Sequence, residues 1–201
     1  MVGSPPLVLA SGSAARRTML TAAGLDPVLA PAAIDEEKLK RRTKAGGLDA
    51  GEAASRLAEA KARAVAASHP GSLVIGADQM LICDGDWFDK PADMASARRQ
   101  LLSLRGRTHS LPTAVVCLRD DICLWRHLET PRLTMRRFSD DDLDAVLAAE
   151  GEAVLGSVGA YRIEGPAIRL FERIEGDWFA ILGMPLLPLL GYLRDSGTIP
   201  G

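Results

Sequence analysis

The chain carries, from residue 7 to residue 20, the stretch Leu7-Val-Leu-Ala-Ser-Gly-Ser-Ala-Ala-Arg-Arg-Thr-Met-Leu20. It begins with a short apolar run, passes through two serines and a glycine, and continues as an alanine- and arginine-rich segment up to Gly24. This order predicts a buried strand, a tight loop whose serine caps a helix, and a helix that the glycine ends.

The alternation of strands and helices continues along the chain. Residues 72–77 form a second apolar run that ends at Asp78, and residues 79–83 are predicted to continue this strand beyond a bend. Further elements are predicted as helices at 50–68, at 91–104, from Ser139 and from Pro185, as two β-rich runs within 108–136, as strands at 168–174 and 178–182, and as a loop or short helix at 31–48. We therefore predict a mixed α/β sheet covered by helices on both faces, in a single domain of residues 1–201.

Composition excludes several classes of protein. Hydrophobic residues make up 47% of the 201 residues and charged residues 25%, which is typical of a folded globular chain rather than a disordered one. The net charge is only −2, with 24 basic and 26 acidic side chains, and nine residues are aromatic. A nucleic-acid-binding protein would need a basic stripe with aromatic stacking platforms, so we expect no nucleic acid partner.

Cysteine usage and hydropathy indicate where the protein works. Cys83, Cys117 and Cys123 are odd in number and lack C-x-x-C spacing, so we expect them to be reduced core residues. The N-terminus lacks a basic region followed by a long apolar stretch, and no run reaches the ~18 apolar residues of a membrane span. We expect a cytoplasmic protein with no membrane partner.

The serine loop, residues 11–13, is a candidate phosphate site. Ser11, Ser13 and the following Arg16 place hydroxyl and guanidinium groups at a strand-to-helix junction, where free N–H groups and the helix dipole favour an anion. The alternative is a plain helix cap followed by two solvated arginines, Arg16 and Arg17.

Carboxylates in two places could bind a metal. Asp78 stands at the tip of a buried strand, where open α/β sheets present groups to ligands. Glu36 lies in an acidic stretch that could join Asp78 around Mg²⁺ or Mn²⁺, since hard ions prefer oxygen ligands. The alternatives are a turn-forming aspartate and a solvated glutamate.

Two lysines could neutralise phosphate charge. Lys61 lies on the alanine-rich helix and Lys90 precedes Pro91, although most lysines in such places face solvent. The three histidines are too far apart in sequence for zinc spacing, and neither a G-x-x-x-x-G-K-[ST] loop nor a G-x-S-x-G elbow is present.

An ordered set of motifs resembles one family. It comprises Leu9-Ala-Ser-Gly-Ser-Ala-Ala-Arg-Arg-Thr-Met-Leu20, Val74-Ile-Gly-Ala-Asp-Gln79, Asp89-Lys-Pro91, Gly106-Arg-Thr-His109, Gly159-Ala-Tyr-Arg-Ile-Glu-Gly165, Ile174-Glu-Gly-Asp177 and Leu182-Gly-Met-Pro-Leu186. With these motifs the chain resembles the Maf family of nucleoside triphosphate pyrophosphatases, from about residue 7 to residue 195.

The resemblance implies a fold, an activity and a site. The fold would be a two-lobed mixed sheet flanked by helices with a central cleft, and the activity a metal-dependent hydrolysis of a nucleoside triphosphate to a monophosphate and pyrophosphate, often by homodimers. Asp78 matches the family's proton acceptor. The matching polar positions of the cleft are Ser13, Arg16, Glu36, Lys61 and Lys90.

Departures from the family's patterns bear on the phosphate contacts and on the base. Ala14 and Ala15 replace the proline and first arginine of S-P-R-R, Asp89 replaces a glycine, and Ala167 replaces the second glycine of G-x-G. At three specificity positions the chain has Ala15, Gln79 and Glu164, where the dTTP and UTP branch has Arg, Thr and Gln.

Gln79, Glu164 and the stretch Leu170-Phe-Glu-Arg173 look instead like the 7-methyl-GTP branch, although that branch commonly has tryptophan where Ala15 stands. A carboxylate at residue 164 can accept from both the N1–H and N2–H of guanine, so we expect a guanine-type substrate, methylated or not. The alternatives are a dTTP or UTP pyrophosphatase, a non-catalytic nucleotide sensor of septation, and a Glu164 that only holds its loop through a salt bridge.

Overall fold

The computed structural model describes residues 6–200, which form two compact units. The first unit contains residues 6–79, 113–129 and 177–200, and the second contains residues 80–112 and 130–176. Residues 1–5, on which the expectation of a missing leader rests, lie outside the described residues, as does Gly201. The chain passes repeatedly between the units, and the single domain of residues 1–201 stays a prediction.

Helices and strands alternate along the chain, and the 3-10 helices occupy Gly151–Gly156 and Pro166–Leu170. In chain order the other elements are β1 Leu7–Leu9, α1 Ala14–Ala22, β2 Val28–Leu29, α2 Glu36–Ala45, α3 Ala50–Ala66, β3 Leu73–Gln79, β4 Leu81–Cys83, β5 Asp86–Phe88, α4 Met94–Leu104, β6 Thr108–Ser110, β7 Thr113–Arg119, β8 Ile122–Glu129, β9 Arg132–Met135, α5 Asp140–Glu150, β10 Phe171–Glu175, α6 Trp178–Ile181 and α7 Leu186–Asp195.

The first unit is built on a five-stranded mixed sheet in the order β2-β1-β3-β7-β8. Strand β1 runs parallel to β2 and to β3, whereas β7 pairs antiparallel with both β3 and β8. The central strand β3 is apolar and buried along most of its length because both of its neighbours are strands and helix α3 packs on it. The core on this sheet includes Leu9, Ile75, Val115 and Leu189.

The second unit contains a five-stranded antiparallel sheet in the order β10-β9-β6-β4-β5. Helices α4 and α5 belong to the same unit and contribute buried leucines, including Leu101, Leu104 and Leu143. Gly106, where the helix 91–104 was predicted to stop, has a φ of 69°, a left-handed conformation that glycine adopts without strain.

The predicted α/β class is confirmed, since helices flank both sheets, but the strands are divided between two sheets rather than one. Helix α4 begins at Met94 and not at Pro91, because Asp93 caps it through the amide of Ser96. The strand predicted at 178–182 is wrong: Asp177 accepts from the amide of Ala180 and caps the short helix α6 there.

Three other stretches refine the predictions. Residues 31–48 include the well-capped helix α2, whose N-cap is Asp35. Residues 108–136 contain four strands rather than two runs. Cys83, Cys117 and Cys123 are free, as predicted, although Cys123 is only half-buried. Within residues 6–200, no helix has the length and apolar character needed to cross a membrane.

Candidate functional site

A glycine brings the predicted catalytic strand close to helix α3. A Cβ on Gly76 would lie 2.2 Å from the carbonyl oxygen of Ala58 and 2.8 Å from the Cβ of Ala62. Asp78 is two residues beyond Gly76 and therefore on the same face of β3, and Lys61 is three residues beyond Ala58 and therefore on the same side of α3. The close approach of the two backbones thus places Lys61 against Asp78.

Lys61 joins two carboxylates of the first unit. Its Nζ lies 2.5 Å from Oδ1 of Asp78 and 3.0 Å from Oε1 of Glu36, the first residue of α2. The Lys61 side chain is only 11% exposed and that of Asp78 7%, so both charges are largely removed from water. Most lysines on helices face solvent. Lys61 differs because it is buried and its charge is paired with two carboxylates.

Arg16 provides a second buried cation. Its Nε donates to the carbonyl oxygen of Gly183 over 2.8 Å, and its Nη1 donates to Oγ of Ser11 over 3.1 Å. Burial lowers the pKa of Arg16, while the negative charges of Asp78 and Glu36 raise it. Arginine remains protonated through such shifts, so two cations face two carboxylates here.

Burial also changes the basicity of Asp78. Removal from water raises the pKa of the Asp78 carboxyl, and the charges of Lys61 and Arg16 oppose this shift. A carboxylate with a raised pKa accepts a proton more readily than an exposed aspartate, which suits a general base.

The serine loop is structured mainly by its own hydrogen bonds. Oγ of Ser13 accepts from the amide of Arg16 over 3.4 Å and caps α1, and Oγ of Ser11 accepts from the amide of Ser13 over 3.2 Å. Of the two arginines that could be solvated, Arg17 is exposed but Arg16 is buried. Ala15 is half-buried in the first turn of α1. The loop is therefore a helix cap, and a buried guanidinium group lies against it.

Gln79 fastens the neighbouring helix α6. Its side-chain Nε2 lies 2.9 Å from the carbonyl oxygen of Ala180, 3.1 Å from that of Ile181 and 2.9 Å from Oγ1 of Thr113. Carbonyl groups at the end of a helix have no partner within the helix, so this amide caps the C-terminus of α6. The side-chain amide of the predicted specificity residue thus binds backbone carbonyl groups of α6.

Lys90 and Glu164 belong to the second unit. Lys90 is exposed between β5 and α4. Glu164 is 44% exposed, and its Oε1 lies 3.4 Å from Nε of Arg162. Sequence reasoning missed Glu150, a buried carboxylate in contact with the same arginine. An acidic residue at the end of a helix carries no sequence signal that would have marked it.

Asp78 and Glu36 are the two residues of the first unit that could hold a magnesium-type ion. Within residues 6–200 no cluster of three or more histidine, cysteine or acidic side chains is placed to bind a metal. Mg²⁺ is commonly held by only one or two carboxylates, with phosphate oxygens and water completing the octahedron. Asp78 and Glu36, which approach the same Nζ, are a carboxylate pair of that type.

Comparison with known proteins shows the family of the chain. A family model described as "Maf-like protein" matches residues 6–196. The chain belongs to the Maf family. A relative from Granulibacter bethesdensis, named "Nucleoside triphosphate pyrophosphatase", is 57% identical over 193 residues, which cover 96% of this chain and 98% of the relative. A relative from Mesorhizobium japonicum, named "7-methyl-GTP pyrophosphatase", is 49% identical over 195 residues, with 97% and 98% covered.

The resemblance found in the sequence is thereby confirmed, and the Maf match runs through both units of the structure. Of the predicted site residues, the structure brings together Ser11, Ser13, Arg16, Glu36, Lys61 and Asp78 in the first unit.

Proposed function

We propose that this chain hydrolyses a nucleoside triphosphate between its α and β phosphates, releasing a nucleoside monophosphate and pyrophosphate. The observation that carries the proposal is the buried carboxylate of Asp78, held by Lys61 and supported by Glu36. A buried group of this kind, with a perturbed pKa and specific charged partners, is a feature of catalytic sites. The names of the Granulibacter bethesdensis and Paramagnetospirillum magneticum relatives, both "Nucleoside triphosphate pyrophosphatase", support the same activity.

In the proposed reaction Asp78 accepts the proton of a water molecule that attacks the α-phosphorus. The new bond joins the water oxygen to this phosphorus, the bond to the bridging oxygen breaks, and pyrophosphate leaves. Burial raises the pKa of Asp78 and so makes it a stronger base than an exposed aspartate. Lys61, at 2.5 Å, keeps the carboxylate oriented and ionised until the proton arrives.

Cationic side chains offset the charge of the triphosphate in this proposal. Lys61 and Arg16 are already buried beside the carboxylates, and Lys90 of the second unit is the third candidate. Preorganised charges of this type stabilise the transition state because they need no reorientation during the reaction. The hydroxyls of Ser11 and Ser13, with the amides at the start of α1, would donate hydrogen bonds to phosphate oxygens.

A divalent ion, Mg²⁺ or Mn²⁺, would be held by Asp78 and Glu36 together with phosphate oxygens. Bound there, it would supply charge neutralisation and polarisation of the α-phosphoryl oxygen.

The nucleobase we propose is guanine, with or without a 7-methyl group. A carboxylate has about four acceptor positions, so Glu164 can remain paired with Arg162 and still accept from two N–H groups of guanine. Uracil and thymine would turn carbonyl oxygens towards the same anion. The relatives named "7-methyl-GTP pyrophosphatase" from Mesorhizobium japonicum and Rhizobium meliloti, each 49% identical, support this choice.

Product analysis of wild-type protein and Asp78→Asn tests the reaction. Wild-type protein should release pyrophosphate first, and Asp78→Asn should lower turnover by a factor on the order of 10²–10⁴, as expected for loss of a general base. Asp26→Asn, which makes the same change at an exposed position of the same unit, is the matched control. Orthophosphate and a diphosphate as first products would contradict the bond assignment, and near-wild-type turnover of Asp78→Asn would remove Asp78 from the mechanism.

A substrate panel tests the base. GTP and 7-methyl-GTP should be turned over with higher kcat/KM than UTP and dTTP, with Mg²⁺ or Mn²⁺ present. Glu164→Gln should narrow that preference by about 1–3 kcal/mol, since it leaves a buried polar group of the substrate poorly paired. If the ratio of kcat/KM for guanine and pyrimidine triphosphates is unchanged in a folded Glu164→Gln protein, Glu164 has only the structural role of pairing with Arg162.

Two further properties remain part of the proposal. Three free cysteines, two of them buried, agree with a reducing cytoplasm. A homodimer is the assembly we propose from the family resemblance, and light scattering tests it.

A further inference from the structure

Helix α5 ends in a buried carboxylate that the proposed reaction does not use. The side chain of Glu150 is 1% exposed, in contrast to the acidic residues at the start of the same helix. A buried carboxylate is costly unless it is hydrogen-bonded and paired with a cation. The contacts of Glu150 therefore indicate its role.

Glu150 holds the backbone that follows Glu164. Its Oε1 accepts a hydrogen bond from the amide of Ala167 over 2.9 Å, at the start of the 3-10 helix Pro166–Leu170. The same oxygen would lie 2.5 Å from a Cβ on Gly165, so a side chain at residue 165 would require the Glu150 carboxylate to move. The loop immediately after Glu164 is thus shaped around this carboxylate.

Glu150 also shares a cation with Glu164. Nε of Arg162 lies 3.7 Å from Oε2 of Glu150 and 3.4 Å from Oε1 of Glu164. Among residues 6–200 this Nε is buried and has no acceptor in hydrogen-bonding geometry, so it interacts with the two carboxylates through charge rather than through a directed hydrogen bond. A change in either carboxylate should therefore move Arg162 towards the other.

We propose that Glu150 is a positioning residue that sets the orientation of Glu164 and, through it, the choice of nucleobase. This rests on the proposed function, in which Glu164 contacts the base. Glu150 acts from two sides, through the backbone at Gly165 and Ala167 and through the charge of Arg162.

The test is the ratio of kcat/KM for GTP and UTP in Glu150→Gln. Glutamine is nearly isosteric and can still accept from the amide of Ala167, but it no longer attracts Arg162. The ratio should fall about three- to tenfold, the size expected for one contact in a coupled charge network, through KM rather than kcat. Glu152→Gln, the same change at an exposed position of the same unit, should leave the ratio unchanged.

A double variant separates positioning from general damage. In Glu150→Gln/Glu164→Gln the ratio should be no lower than in Glu164→Gln alone, because Glu150 acts through Glu164. Additive losses would overturn the proposal. A ratio that falls in Glu164→Gln but not in Glu150→Gln would also overturn it and leave the proposed function intact, whereas absence of pyrophosphate release from every triphosphate by wild-type protein would contradict the proposed function itself.

A second measurement needs no substrate. Gly165→Ala should lower the urea midpoint of unfolding in wild-type protein, because its Cβ meets the Glu150 carboxylate. In a Glu150→Ala background Gly165→Ala should lower the urea midpoint clearly less, since the carboxylate that its Cβ would contact is absent. An equal decrease of the urea midpoint in both backgrounds would overturn the placement of Glu150 against residue 165.

Discussion

Gly76→Ala is the substitution expected to separate the two residues at the centre of the site. Its Cβ would lie 2.2 Å from the carbonyl oxygen of Ala58, whereas a relaxed carbon–oxygen contact needs about 3.3 Å. Helix α3 would have to move away from β3 by about 1 Å. Since α3 carries Lys61 and β3 carries Asp78, the 2.5 Å contact between them would lengthen by a similar amount.

The displacement should affect both stability and catalysis. Overpacking of this kind costs about 1–3 kcal/mol, which for a protein of this size lowers Tm by roughly 2–12 °C. A misplacement of about 1 Å at the reacting groups can cost about 10²-fold in rate, so kcat/KM for pyrophosphate release should fall by about that factor at a temperature where the variant is folded.

Calorimetry and a pyrophosphate-release assay measure the two effects on the same preparation. Gly46→Ala is the control, because its Cβ would meet the nearest atom at an ordinary 3.4 Å. The reasoning is refuted if Gly76→Ala keeps both its Tm and its kcat/KM. A lower Tm with unchanged kcat/KM would refute the link between helix position and the Lys61–Asp78 pair.

Two other predictions concern buried polar groups. Burial lowers the pKa of His109 from 6.5 to about 4. Between these two values the unfolded chain binds more protons than the folded one. The contribution of the neutral His109 to the free energy of unfolding is therefore fully present above pH 6.5 and is lost as the pH falls towards 4. Between pH 7.5 and pH 4 the free energy of unfolding should fall by about 3 kcal/mol more in wild-type protein than in His109→Gln. Urea titrations at each pH measure this difference, and an equal pH dependence of the free energy of unfolding in the two proteins would contradict the prediction. Gln79→Met should cost about 1–3 kcal/mol in urea unfolding because the carbonyl groups of Ala180 and Ile181 lose their donor, and an unchanged midpoint would mean that this amide is dispensable.

Local signals in the sequence predicted local structure well. Ser13 was expected to cap a helix and does so, and Asp78 was expected at the end of a buried strand and lies on its penultimate residue. The prediction failed where two local patterns, an apolar run and a helix-capping residue, favour different structures. At 178–182 an apolar run resembled a strand, but the carboxylate of Asp177 captures the amide of Ala180 and starts a helical turn instead.

Contacts between distant parts of the chain were beyond this kind of reasoning. That Lys61 meets Asp78 depends on how helix α3 lies on β3, which the missing side chain of Gly76 decides. By residue type alone Lys61 and Glu36 were candidates whose alternative was a solvated side chain, and the resemblance to the Maf family then favoured them as site residues. Glu150 belongs to no motif that was recognised, so its role became visible only through its contacts.

The position of β3 in the middle of its sheet, with α3 packed on it, bears on how the protein loses activity on heating or in denaturant. Peripheral segments can fray while the rest stays folded, but a strand with a neighbour on each side opens only in a cooperative transition of the whole unit. The backbone amides around Ile75 and Ala77 should therefore be among the slowest of the first unit to exchange with deuterium. Asp78 then keeps its environment until the unit unfolds, and the loss of enzymatic turnover should coincide with the unfolding curve rather than precede it.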